Sequence, residues 1–79
     1  MVTEIHVPTI ANDWVRPSVG RWFKCAGDAV SLDEPLVEID NGNMTLEIRA
    51  PITGVLSRIL VKDGGFVETG TVVGTISQF

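Results

Sequence analysis

A repeat inside the chain limits its fold more than any other feature. Gly27-Asp28-Ala29-Val30 returns as Gly64-Gly65-Phe66-Val67, and the same offset sets Val19 over Leu56, Arg21 over Arg58, Trp22 over Ile59, Leu36 over Val73 and Ile39 over Ile76. Upstream, Ile5-His6-Val7-Pro8 matches Ile48-Arg49-Ala50-Pro51 at a longer offset, which places a short insertion in the Thr9–Pro17 stretch of the first copy. A copy of a few strands cannot bury an apolar face alone, so the two halves are expected to pack together about a pseudo-twofold axis. Two small antiparallel sheets, face to face, satisfy this.

The local patterns agree. Thr3–Val7 alternates polar and apolar residues and stops at Pro8, as a strand does. Ser18–Lys24, Ala29–Val30, Pro35–Asp40, Val55–Val61, Phe66–Val67 and Val72–Ser77 read as further strands. Turns fall at Cys25–Asp28, Ser31–Pro35 and Lys62–Gly65. Thr9–Pro17 has no period and reads as a loop. No window shows a sustained helical period with caps. The expected class is all-β, two packed sheets formed by a single domain over residues 1–79.

At the centre lies a hairpin, Glu38-Ile39-Asp40-Asn41-Gly42-Asn43-Met44-Thr45-Leu46-Glu47-Ile48. Asn-Gly between alternating apolar residues is a strong hairpin signal, and a type I′ turn with positive φ at both central residues is expected. The tip, Asp40, Asn41, Gly42 and Asn43, should protrude at one end of the molecule, with the chain termini at the other. A protruding tip displays something, yet this one offers no reactive group.

Composition closes several routes. The net charge is −4 and the six Lys and Arg residues are scattered singly, which weighs against nucleic acid as a partner. One cysteine rules out an internal disulfide framework. No apolar run approaches the ~20 residues of a membrane span, so no membrane association is expected. The N-terminus lacks the pattern of a secretory signal, which makes a reducing compartment the expectation: cytoplasm, or the mitochondrial matrix in a eukaryote.

Single residues offer little chemistry. His6, the only histidine, has no Cys or carboxylate cluster at ligand spacing, so no metal site is expected. Cys25 lies in a turn without a histidine to activate it and reads as an inert thiol. Trp22 reads as core. Trp14, with Asn12 and Asp13 in the Thr9–Pro17 loop, is either an anchor packed on the barrel or a partner contact. Glu38, Asp40 and Glu47 make the flanks of the tip acidic, either as ordinary wet strand faces or as an electrostatic label for a basic partner. Gly64-Gly65 lacks the strand–loop–helix context of a phosphate loop. No acid/base or nucleophile pair is visible, so no catalytic residue and no enzymatic activity are expected of this stretch.

Glu4-Ile5-His6-Val7-Pro8, Val19 to Val30, Asp33 to Ile39, Thr45 to Pro51, Gly54-Val55-Leu56, Ile59-Leu60-Val61, Gly70 and Gly74-Thr75-Ile76 stand in an order and spacing that resemble a known family. They are similar to the lipoyl domain of the acyltransferase component of 2-oxo acid dehydrogenase complexes, within the wider biotinyl/lipoyl-attachment family, over nearly the whole chain. The resemblance implies a barrel-sandwich of two four-stranded sheets and a swinging-arm carrier. In that family the tip usually reads Glu-Thr-Asp-Lys, and the lysine amine is joined to lipoate through an amide. Counting without gaps from Leu36-Val37-Glu38-Ile39 and from Thr45-Leu46-Glu47, the lysine's place falls on Asn43, flanked by Gly42 and Met44.

Asn43 has no amine to acylate, so the expectation is a lipoyl-type domain that carries no cofactor as written, where intact relatives carry lipoate. The resemblance also implies partners: a 2-oxo acid decarboxylase, the flavoprotein dihydrolipoamide dehydrogenase and a lipoate ligase. It places Asn12, Asp13 and Trp14 in the loop that helps the decarboxylase recognise its own domain, with Glu38 and Glu47 as further candidate contacts. The isolated domain is expected to be a monomer. Two alternatives stay open: a biotinyl-type carrier, whose tip reads Ala/Val-Met-Lys-Met and shares Met44 but not Gly42, and a non-carrier docking or structural domain.

Overall fold

Alternation of inward and outward side chains builds each strand, and the repeat then decides how the strands stack. The computed structural model describes residues 1–10 and 16–78. Seven strands follow in chain order: β1 Val2–His6, β2 Ser18–Trp22, β3 Ala29–Val30, β4 Pro35–Asp40, β5 Thr45–Arg49, β6 Gly54–Ile59 and β7 Val72–Ser77. They form two antiparallel sheets, one ordered β1-β7-β6-β3 and the other β2-β4-β5. The molecule measures 39 × 19 × 18 Å.

The inner faces close on one core. Val19, Leu36, Ile39, Leu56, Val73 and Ile76 are all buried, and they are the residues that the repeat sets over one another. Each fully buried aliphatic side chain contributes about 1.5–3 kcal/mol. Leu36 and Val37 are consecutive and both buried, which strict alternation forbids. A bulge between Pro35 and Val37 places Leu36 as the extra residue. Its repeat mate Val73 is likewise extra, in the bulge where Ile5 faces Gly74 and His6 faces Val72. A bulge is a two-against-one step that turns neighbouring residues to the same face, and both halves use it at the same place.

The eighth strand expected at Phe66–Val67 shrinks to a bridge between Phe66 and Ser18. The repeat explains both the likeness and the loss. Ala29 and Val30 pair with Val55 and Gly54, so Phe66 and Val67 should pair with Ser18 and Pro17. Val67 does donate its N–H to the Pro17 carbonyl at 3.0 Å, but proline has no N–H to return. The second sheet therefore has three full strands and a one-residue fourth. β2 also ends earlier than expected, at Trp22 rather than Lys24. Its partner β4 begins with Pro35, which cannot donate to a longer ladder.

Hairpin and termini sit at opposite ends. Ser77, at the end of β7, lies across from Val55, beside Val30 and the short turn that leads into the start of β4. Asp40, at the other end of β4, lies across from Ser18. The Asn41 N–H donates to the Met44 carbonyl at 3.2 Å, and at the far end the Gln78 N–H donates to the Met1 carbonyl at 2.8 Å. The hairpin closes one end of the barrel as the paired termini close the other.

Candidate functional site

The tip stands on a continuous register. Glu38 faces Glu47, Ile39 faces Leu46 and Asp40 faces Thr45, which leaves Asn41 to Met44 as the connection and Asn43 exposed within it. The expected type I′ turn is not formed. Gly42 has φ +95°, while no other residue of the connection has positive φ. The Asn41 side chain takes over instead: its Oδ1 accepts from the Asn43 N–H at 3.0 Å and from the Met44 N–H at 2.9 Å. Such a side-chain cap satisfies the connection's donors without asking asparagine for a left-handed backbone. Beside it, Met44 is 59% exposed.

Outward residues form a row across this end of the sheet: Thr45, Asp40, Ser18 and Phe66, in pairing order. The Asp40 carboxylate lies over Gly20, where a Cβ would collide with it. Phe66 is 67% exposed, and the Arg16 guanidinium sits 5.1 Å from its ring centre. A cation over an exposed ring contributes about 0.5–1 kcal/mol. Sequence reasoning assigned Phe66 to a strand and missed its display; the sign available was that its repeat mate is Ala29, a small residue.

The acidic flank is less acidic than its composition suggests. Glu38 lies between Arg21 on β2 and Glu47 on β5, and Glu47 meets the Arg49 guanidinium at 3.4 Å. Glu38 and Glu47, directly opposite, repel each other; Arg49 offsets part of that at Glu47, while the Arg21 guanidinium lies 4.9 Å from the Phe23 ring centre. Asn12, Asp13 and Trp14 lie outside the described residues.

His6 is exposed on β1, its Nε2 3.3 Å from Glu4 Oε1 and its Nδ1 3.3 Å from the Gly70 carbonyl. Cys25 is a free, exposed thiol. Among the described residues, no group of three or more His, Cys, Asp or Glu is placed to hold a metal ion. Trp22 is half-buried against the core, and its Nε1 donates to the Val61 carbonyl at 2.8 Å.

The two lysines come together away from the tip. Lys24 and Lys62 line an open groove of about 500 Å³ with Trp22, Cys25, Ile59 and Asp63. Asp63 Oδ1 accepts from the Trp22 N–H at 3.1 Å, at the opposite end of β2 from Ser18 and the tip. Lys24 is also tied to Glu34 at 3.3 Å. That pair, behind a hydrogen bond from the Ser31 N–H, holds the Glu34 carboxyl below its usual range.

A protruding hairpin on a two-sheet barrel of internal repeats has known counterparts. The family model described as "Biotin-requiring enzyme", covering biotin and lipoyl domains, matches residues 3–76. The chain belongs to this biotin/lipoyl family. It is 42% identical over 76 residues to the dihydrolipoyllysine-residue succinyltransferase component of the 2-oxoglutarate dehydrogenase complex of Bartonella vinsonii, covering 96% of this chain and 18% of that protein. It is 30% identical to the dihydrolipoyllysine-residue acetyltransferase component of the pyruvate dehydrogenase complex of Corynebacterium glutamicum, covering 96% of this chain and 11% of that one. The chain thus spans about a fifth or less of the length of these relatives.

Among solved structures, the lipoyl domain of the 2-oxoglutarate dehydrogenase complex from Azotobacter vinelandii matches with a TM-score of 0.76 and 29% identity, covering 95% of each chain. The urea carboxylase of Kluyveromyces lactis matches with a TM-score of 0.80 at 19% identity over 6% of its length, a likeness of fold alone. The chain is a lipoyl-type domain, and such a domain is a carrier rather than a catalyst.

Proposed function

We propose that this domain is the lipoyl-type carrier unit of a 2-oxo acid dehydrogenase acyltransferase whose tip cannot be lipoylated, because Asn43 stands where the family has its lysine. One observation carries the reading. The strand pairing from Glu38–Glu47 to Asp40–Thr45 continues to the tip without a slip, which supports the gap-free count that sets residue 43 at the attachment position. Lipoate is held through an amide to a primary amine. No residue from Asp40 to Met44 carries one, and Lys24 and Lys62 lie on the groove away from the tip. The residues present do not fit the cofactor. Asp40-Asn41-Gly42 also departs from the family's Glu-Thr-Asp, yet the tip is capped by Asn41, and Met44 and Phe66 are exposed at the same end of the molecule.

The partners this reading carries are a 2-oxo acid decarboxylase, a dihydrolipoamide dehydrogenase and a lipoate ligase. The domain would keep the surface they recognise while failing to turn over. Incubation with a lipoate ligase, lipoate and ATP tests the reading by intact mass, and the expected result is no gain. A second reading, a docking domain that uses its surface alone, is favoured by the Phe66–Arg16 pair at the tip end. It predicts decarboxylase binding that Phe66→Ala weakens. A biotinyl-type carrier meets the same obstacle at Asn43.

A further inference from the structure

The cap that replaces the type I′ turn also sets up a reaction. We infer that Asn41 is a self-modification site of the folded domain: it loses its side-chain amide through attack by the Gly42 backbone nitrogen. Three features of the tip converge on this, and none depends on the lipoyl reading.

The first is geometry. The hydrogen bond from the Asn43 N–H to Asn41 Oδ1, at 3.0 Å, closes a ring that contains both the Asn41 Cγ and the Gly42 nitrogen. The hydrogen bond holds the side chain turned toward the C-terminal side of its own residue, the side on which the Gly42 nitrogen lies.

The second is polarisation. Asn41 Oδ1 accepts two N–H groups, from Asn43 and from Met44 at 2.9 Å. Two fixed donors on a carbonyl oxygen stabilise the negative charge that develops there when a nucleophile adds, as an oxyanion hole does.

The third is the nucleophile. Among the described residues the Gly42 N–H makes no hydrogen bond, and Gly42 is exposed, with nothing within 4 Å of where a Cβ would stand. Its proton is open to solvent base, and no side chain shields the approach.

In the reaction, the Gly42 nitrogen gives its proton to water or hydroxide and bonds to Asn41 Cγ. The Cγ–Nδ2 bond breaks, and ammonia leaves with a proton from solvent. The resulting succinimide takes up water at either carbonyl, giving aspartate or isoaspartate. No oxidation or reduction occurs, and water is the only co-reactant. Either product adds a negative charge next to Asp40. Isoaspartate also adds one backbone atom to the connection and removes the side-chain carbonyl that caps it, so the tip changes shape at the residues next to Asn43.

The experiment compares the folded chain with a synthetic peptide of residues 38–48, incubated together at mildly alkaline pH. Peptide mapping locates the change from amide to acid, and isoaspartyl methyltransferase labelling counts the isoaspartate. The folded chain is expected to convert at Asn41 at least as fast as the unstructured peptide. Asn43, followed by Met44, should stay intact over the same period. Gly42→Ala in the folded chain should slow the conversion. Amide signals of Asn41 followed by NMR give the same rate without digestion, and confirm that the chain stays folded throughout. A folded chain that keeps Asn41 longer than the peptide does would overturn the proposal, by showing that the two hydrogen bonds clamp the side chain rather than activate it. Conversion at Asn43 first would overturn it as well.

Discussion

Asp33 and Gly70 hold the same place in the two halves of the barrel, with φ of 70° and 87°. The Asp33 N–H donates to the Ala50 carbonyl and the Gly70 N–H to the Val7 carbonyl, both at 2.9 Å, and Val7 and Ala50 are themselves repeat mates. One half meets the left-handed turn with glycine, the other with a residue that tolerates it. Gly70→Ala should therefore cost about 1–2 kcal/mol from backbone strain alone, since nothing lies within 4 Å of the added Cβ. Asp33→Gly should change stability by less than about 1 kcal/mol, because relief of strain is offset by the freer unfolded chain. Urea midpoints of the two variants check both.

Trp22 joins the sheets through a ring and a hydrogen bond. Its ring would lie 3.0 Å from a Cβ at Gly74, and its Nε1 holds the Val61 carbonyl. Trp22→Phe should retain most of the packing and lose about 1 kcal/mol with the hydrogen bond. Trp22→Ala should lose about 3–5 kcal/mol, enough to unfold most of so small a domain. Thermal unfolding followed by circular dichroism separates the two.

Glu34 gives the fold a pH dependence of known sign. Its carboxyl is held below its ordinary value of 4.5 by the Ser31 N–H and then by Lys24, with Asp28 opposing. A carboxyl lowered in the folded state binds its proton more readily when unfolded. Its contribution is therefore full above the unfolded value and is lost as pH falls through the folded one. Stability of the native chain should drop below about pH 4.5 more steeply than that of Glu34→Gln. Denaturant midpoints across that range measure the difference, and parallel curves would contradict the assignment.

The all-β class, the two-fold repeat and the placing of hairpin and termini at opposite ends were legible because burial obeys a period of two and because the copies share their glycines: Gly27 and Gly64 both have positive φ. The missing length of the eighth strand was not, although Pro17 carries the reason. A proline's lost donor matters only once its partner, Val67, is known, and that pairing is long-range. The turn type failed for a similar cause. Asn-Gly was read as two left-handed residues, but the Asn41 side chain competes with its backbone for the donors of Asn43 and Met44, and it wins. Phe66 was legible as apolar and not as exposed, since exposure depends on the sheet edge it ends up capping. The assignment of Asn43 to the attachment position rests on counting along the chain from the flanking strands.

We propose a sound lipoyl-type scaffold that lacks an acceptor amine at residue 43. The direct measurement is intact mass after treatment with lipoate ligase, lipoate and ATP, on the native chain and on Asn43→Lys side by side. Only Asn43→Lys is expected to gain one lipoyl group, located at residue 43 by peptide mapping. Modification of the native chain, at Lys24, Lys62 or the N-terminus, or failure of a folded Asn43→Lys to be modified, would contradict it.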